Sequence, residues 1–121
     1  MTDLLTAVTA FLSRLGLPVY LADQVPDGAG FPYVAYRLTD APFGQPATLE
    51  VTGWHRGEHA NALAAGFLDR VAELVPDSGA ILTLPRGRVT LHPGAGFRSV
   101  VADRDALGGR AVIEVRCYLV P

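Results

Sequence analysis

The stretch from Pro46 to Val75 changes its hydrophobic period once, and that change sets most of what the chain can fold into. Ala47, Leu49 and Val51 alternate with Thr48, Glu50 and Thr52, the period of two of a half-buried strand. Beyond Gly57, the residues Ala60, Leu63, Ala64, Phe67, Leu68, Val71, Leu74 and Val75 recur at spacings of three and four. They therefore share one face of a helix, while Asn61, Asp69, Arg70 and Glu73 fall on the other side. Burying the large side chains of that face is worth about 1.5–3 kcal/mol each before chain entropy is counted. The helix reads as a scaffold against which the remaining segments pack.

Residues 3–15 predict a second helix, with Leu4, Leu5, Val8, Phe11, Leu12 and Leu15 as its stripe and Gly16 as its terminator. Pro18 opens a short extended piece, 19–21, and the turn-rich segment 23–32 follows. Residues 33–38 resume alternation, and a connection holding Phe43 leads into the central strand. Pro76-Asp77-Ser78-Gly79 ends the long helix, because proline cannot continue it. Residues 80–84 and 88–91 read as two strands around Pro85-Arg86-Gly87, residues 97–101 as a strand or an extended arm, and residues 107–110 as a loop. The last strand, 111–120, carries Ala111, Ile113, Val115, Cys117 and Leu119 on its apolar face, which makes Cys117 a small buried hydrophobe. The expected fold is α+β: one domain over residues 1–121, with two helices packed on one face of a mostly antiparallel sheet of about five strands.

Composition narrows the function classes. Half of the 121 residues are hydrophobic and 18% are charged, which suits a compact domain. Ten basic and twelve acidic side chains leave a net charge of −2, without the basic surplus of a free-standing duplex binder. No apolar run approaches the roughly 18 residues that span a bilayer, so no membrane partner is expected. Asp3 and its polar neighbours do not resemble a secretion signal. One cysteine excludes an intramolecular disulfide.

Few residues are spaced for chemistry. His55-Arg56-Gly57-Glu58-His59 matches the H-x-x-E-H pattern of inverted zinc peptidases, whose chemistry needs both histidines on one helical turn. Gly57 interrupts the motif and the helical period starts only at Ala60, so His55 belongs to the strand end; a zinc hydrolase using His55, Glu58 and His59 is a remote alternative. Gly94-Ala95-Gly96-Phe97-Arg98-Ser99 begins like a dinucleotide fingerprint but has serine for the third glycine and no helix after it. The Walker pattern and a nucleophile elbow are absent. No catalytic, cofactor-binding or metal-ligating set is expected. Arg86, Arg88, Arg98, Arg104 and Arg110 could form a patch for nucleic acid or an acidic protein surface, but Asp103 and Asp105 lie among them, as in a solvated rim or a polar interface. Trp54, Phe43 and Phe97 are candidate anchors for a protein partner.

Pro18-Val19-Tyr20, Val25-Pro26-Asp27-Gly28-Ala29 and Phe31-Pro32-Tyr33-Val34-Ala35-Tyr36 resemble the corresponding segment of tail-terminator and tail-completion (head–tail joining) proteins of tailed bacteriophages. The layout around it is similar too: a leading helix, a hairpin, a strand ending near Trp54, an amphipathic helix and a closing strand. The glycine- and proline-rich segment 92–97 departs from that pattern. The resemblance implies a non-enzymatic virion protein of the tail or neck, present in the host cytoplasm during assembly. It implies a homo-oligomeric ring, usually a hexamer, that caps the tail tube and joins it to the head–tail connector protein, with DNA passing through the lumen without sequence-specific binding. A head-closure, other neck or minor capsid protein is the alternative within that class. The interface residues expected for such a subunit are Phe43, Arg86, Arg88, Phe97, Arg98 and Arg104, on the connection 39–46 and the segment 92–110 with its flanking arginines.

Overall fold

The computed structural model describes residues 2–40 and 46–119. Helix α1 (Thr2–Leu12) runs into a 3-10 turn (Ser13–Leu15). Strands β1 (Val19–Leu21), β2 (Tyr33–Thr39) and β3 (Ala47–Arg56) follow, then helix α2 (Ala60–Leu74) and strands β4 (Ala80–Leu84), β5 (Gly87–Asp103) and β6 (Ala106–Leu119). The class is the expected α+β: two helices and a six-strand, mostly antiparallel curled sheet, a half-barrel. The strand order is β1-β2-β3-β6-β5-β4. Only β1, which runs parallel to β2, departs from antiparallel pairing.

The alternation read in the central strand gives it one buried face. Leu49, Val51, Gly53 and His55 of β3 are buried, and across the ladder Leu49 pairs with Ile113, Val51 with Ala111 and Gly53 with Gly109. Val34 and Tyr36 of β2, and Val89 and Leu91 of β5, complete this face and form one core with Val8, Phe11 and Leu12 of α1 and Phe67, Leu68 and Val71 of α2. Helix α2 lies over the middle strands β3, β6 and β5, whereas α1 contacts the two outermost strands, β1 and β4. The sheet therefore curls around the helix pair, with α2 at its centre and α1 across the mouth. Two polar contacts fix α1 there: Thr9 Oγ1 and Tyr36 Oη share a 2.7 Å hydrogen bond, and Arg70 Nη1 of α2 donates to the Leu15 carbonyl at 2.8 Å.

The close seating of α2 depends on two missing side chains. A Cβ built on Gly53 would lie 2.6 Å from the Phe67 ring, and one on Gly109 would lie 2.7 Å from the Ala64 carbonyl oxygen. The paired glycines thus leave bare backbone where the helix crosses. Ala64 is fully buried against it, while Leu63, expected on the buried face, is 49% exposed at the flank of the stripe.

For residues 97–101 the strand alternative holds, and two further expectations are corrected. Residues 107–110 are no loop: with 97–101 they belong to the long β5–β6 hairpin, closed by a two-residue turn with Arg104 at φ 56°. The 92–110 segment is thus regular ladder except for one bulge, in which the residues between Pro93 and Arg98 oppose a single position, since Pro93 pairs with Ile113 and Arg98 with Ala111. The bulge inverts the alternation of β5. Before it the odd residues Val89 and Leu91 face the helices; after it the even residue Arg98 does, in register with buried Ala111. Cys117 is exposed rather than buried. It pairs with Val89, but β3 ends at Ala47 opposite Val115, so no strand of the described residues flanks Cys117 on its other side.

Gly53→Ala and Gly109→Ala should each lower unfolding stability by about 1–3 kcal/mol in urea titrations. Gly28→Ala, where an added Cβ meets nothing within 4 Å, should stay within about 0.5 kcal/mol of the parent. Equal losses at all three positions would remove helix seating as the constraint.

Candidate functional site

The face of the sheet turned away from the helices carries the residues that alternate with the core positions. Tyr33 and Arg37 of β2, Glu50, Thr52 and Trp54 of β3, and Arg110 of β6 point there, joined after the bulge by Ser99, Val101 and Asp103 of β5. No helix of the described residues covers it. The β1–β2 connection folds over one side, so that Ala22 and Val25 meet Trp54, Val101 and Arg110 around a groove of about 440 Å³. A smaller recess of about 200 Å³ continues it between Pro26, Asp27 and Phe31 of the connection and Asp103, Arg104 and Asp105 at the hairpin turn.

The connection is held by aromatic contacts and one arginine. Tyr33 meets Tyr20 with ring centroids 5.9 Å apart and Phe31 at 5.2 Å; the Phe31–Pro32 peptide is cis. The Arg56 guanidinium lies 4.1 Å from the Phe31 ring centroid, and its Nε is 3.2 Å from Asp105 Oδ2. One side chain at the end of β3 thus ties the connection to the hairpin turn. Among the groove and recess residues the sequence singles out Trp54 as an anchor, Arg104 and Arg110 as cluster arginines with Asp103 and Asp105 among them, and the Phe31-Pro32-Tyr33 triplet only for its resemblance. That Arg56 pairs with Asp105 depends on cross-strand neighbours that no local spacing encodes.

The expected interface residues are not gathered into one patch. Arg86 lies in the β4–β5 turn, and Arg88, whose guanidinium sits 5.6 Å from the Tyr118 ring, is at the same end of β5. Arg104 is at the opposite end, in the hairpin turn beside the smaller recess. Phe97 is partly buried against the core, and Arg98 turns toward α2, where Nη2 meets Asp69 Oδ1 at 2.7 Å. Phe97 lies within the bulge itself, and the inverted alternation beyond it puts Arg98 on the helix side of the sheet, where it stays exposed. Arg110, part of the same sequence cluster, lies in the groove and donates from Nε to Ser99 Oγ at 3.3 Å. Phe43 lies outside the described residues.

The H-x-x-E-H residues are likewise separated. His55 is on β3 and 3% exposed under α2, its ring 6.1 Å from that of Phe67. Glu58 and His59 are exposed in the turn that follows, 3.8 Å apart. Among the described residues no group of three histidine, cysteine or acidic side chains is placed to hold a metal ion. The Nδ1 of His55 is buried without a hydrogen-bond partner. Burial holds the His55 pKa below the ordinary histidine value; the Gly53 backbone opposes this and the Arg70 charge adds to it. Partial burial, with the Asp40 charge, raises the Cys117 thiol pKa, the opposite of what activates a nucleophile.

Compared with known proteins, the chain matches no family model and no curated sequence.

Two predictions follow from these contacts. Arg56→Ala should change global stability by less than about 1 kcal/mol, since its ion pair is exposed. Amide exchange in residues 22–31 should nevertheless quicken severalfold, and unchanged exchange there would show that the arginine holds nothing. For His55, the folded-state pKa lies below the unfolded one, so the unfolded chain binds the proton first as pH falls. Stability should be full above about pH 6.5, fall through that value, and stop falling from this source below the folded pKa. Denaturant midpoints at pH 7.5 and 5.5 should converge in His55→Leu relative to the parent; an equal drop in both would clear His55 of the effect.

Proposed function

We propose that this chain is a structural subunit of a bacteriophage tail or neck, of the tail-terminator or tail-completion kind, which assembles into a ring joining the tail tube to the head connector. The observation that supports this most is where the resembling segment sits. Residues 18–36 supply β1, the β1–β2 connection and the first part of β2, and that connection borders the uncovered sheet face with its groove. The groove offers an indole, a phenol and charges of both signs. That mixture suits a polypeptide surface, where aromatic and arginine side chains anchor and the polar rim sets orientation. The separation of His55 from Glu58 and His59 gives the zinc-hydrolase alternative no support.

In this reading the partners are further copies of the chain, the tail tube protein and the connector protein. DNA passes through the lumen without its sequence being read. A ring requires heterologous contacts that close.

Native mass spectrometry over a range of concentrations, with and without zinc, tests the reading. The expected result is a closed, metal-free oligomer of about six copies. One tightly retained zinc per chain, or an open series of oligomers growing without limit, would overturn it.

A further inference from the structure

We infer that β4 of one copy pairs along β1 of a second copy, continuing the sheet from molecule to molecule. The two strands are the opposite edges of one sheet, and no strand of the described residues lies beside either outer edge. Their outward hydrogen-bonding groups follow from the ladders. In the β4–β5 hairpin Leu84 pairs with Gly87 across the two residues Pro85 and Arg86. Pro85 has no N–H, so Leu84 and Gly87 must bond each other directly. The antiparallel alternation then turns the main-chain groups of Ile81 and Thr83 away from β5. At the other edge, Val34 N donates to the Pro18 carbonyl and Ala22 N to the Tyr36 carbonyl. The even-numbered residues there face β2, so Val19 and Leu21 direct their main-chain groups outward. The Leu21 carbonyl accepts from Gln24 N, which leaves the Val19 N–H and C=O and the Leu21 N–H. Each edge thus presents two residues at the same i, i+2 spacing.

The composition of both edges favours pairing. Sheet edges are ordinarily blunted by charge, proline or a bulge, yet Ala80–Leu84 reads Ala-Ile-Leu-Thr-Leu and Val19–Leu21 reads Val-Tyr-Leu. Neither strand contains a charge, a proline or a register shift. Ile81 is 64% exposed on β4. Beside β1, a groove of about 560 Å³ between it and α1, lined by Leu5, Thr9, Ala10, Val19 and Leu21 among others, leaves room for the core-side residues of an added strand. Direction agrees as well. Following the pairings across the sheet, β1 and β4 run the same way. A copy rotated about an axis along the strands therefore offers its β4 parallel to β1, extending the existing β1–β2 parallel pair.

This pairing supplies the contact that the ring reading needs and rests on that reading only for the number of copies. The test measures self-association of the full chain by native mass spectrometry and sedimentation. Thr83→Pro removes an outward N–H that the fold does not use, and Ile81→Lys places a charge on the edge. Each should raise the midpoint concentration of assembly about tenfold or more while leaving the circular dichroism spectrum and melting temperature near the parent's. Val19→Pro should do the same from the other edge. An equal mixture of Thr83→Pro and Val19→Pro chains, with one good edge of each kind, should stop at dimers.

If both β4 variants assemble like the parent, or the parent is monomeric up to its solubility limit, the pairing is wrong. Normal assembly of Val19→Pro with loss in Thr83→Pro would mean that β4 pairs with itself. Parent oligomers that are dimers or open filaments, yet are blocked by both prolines, would keep the pairing and remove the ring. A closed oligomer indifferent to the prolines would keep the ring and remove the pairing.

Discussion

Bare backbone at the crossing of α2 over the Gly53–Gly109 pair is the constraint on which the other placements depend. With the helix seated there, Phe67, Leu68 and Val71 reach the middle of the sheet, and no space is left for α1 over the same strands. Helix α1 is displaced to the mouth of the curl, where it touches β1 and β4 rather than the centre. The curl, the position of both edges and the freedom of the outer face all follow from where one helix packs. Adding a single methyl group at either glycine would lift α2 and loosen that arrangement, because close-packed interiors have little slack.

The outer face owes its character to a second feature, the bulge between Pro93 and Arg98. By inverting the alternation of β5, it sends Ser99, Val101 and Asp103 to the groove and Arg98 to Asp69 on α2. Part of the basic sequence cluster is thereby tied up in a surface ion pair on the helix side of the sheet. The charges on the groove are Arg37, Glu50, Asp103 and Arg110, of both signs rather than a cationic stripe. Arg56 then closes the rim by spanning from Phe31 to Asp105.

Much of the fold was legible in the sequence because its signals are local. The change from alternation to helical spacing after Gly57, the stripe from Leu4 to Leu15, and the punctuation at Gly16 and Pro76 each depend only on near neighbours. The misread parts depend on partners distant in the chain. Period-two reading cannot survive a bulge that inverts it, so residues 92–101 gave no steady signal. Gly108 and Gly109 look like loop residues, whereas Gly109 is a strand position cleared for the Ala64 carbonyl. Cys117 continues the pattern of Ala111, Ile113 and Val115 but lies beyond the reach of β3. The groove was barely legible, since Tyr33, Trp54, Asp103 and Arg110 meet only through strand register. The arginine cluster counted residues near in sequence, and a strand the length of β5 carries Arg88 and Arg104 to opposite ends.

The strand order also bears on how the chain comes to be folded. Residues 47–56 of β3 take their second neighbour from residues 106–115 of β6, with α2, β4 and β5 intervening. The β1–β2–β3 unit and the β4–β5 hairpin can each form from nearby chain, but the joint between them cannot. Long-range pairings of this kind slow the search for the native state. During synthesis β3 therefore stands with one side open until β6 has emerged from the ribosome, and a chain stalled between residues 60 and 105 exposes the Leu49–Val51 edge. Translation rate through that interval, and a chaperone that shields one strand edge, would then set the yield of folded protein.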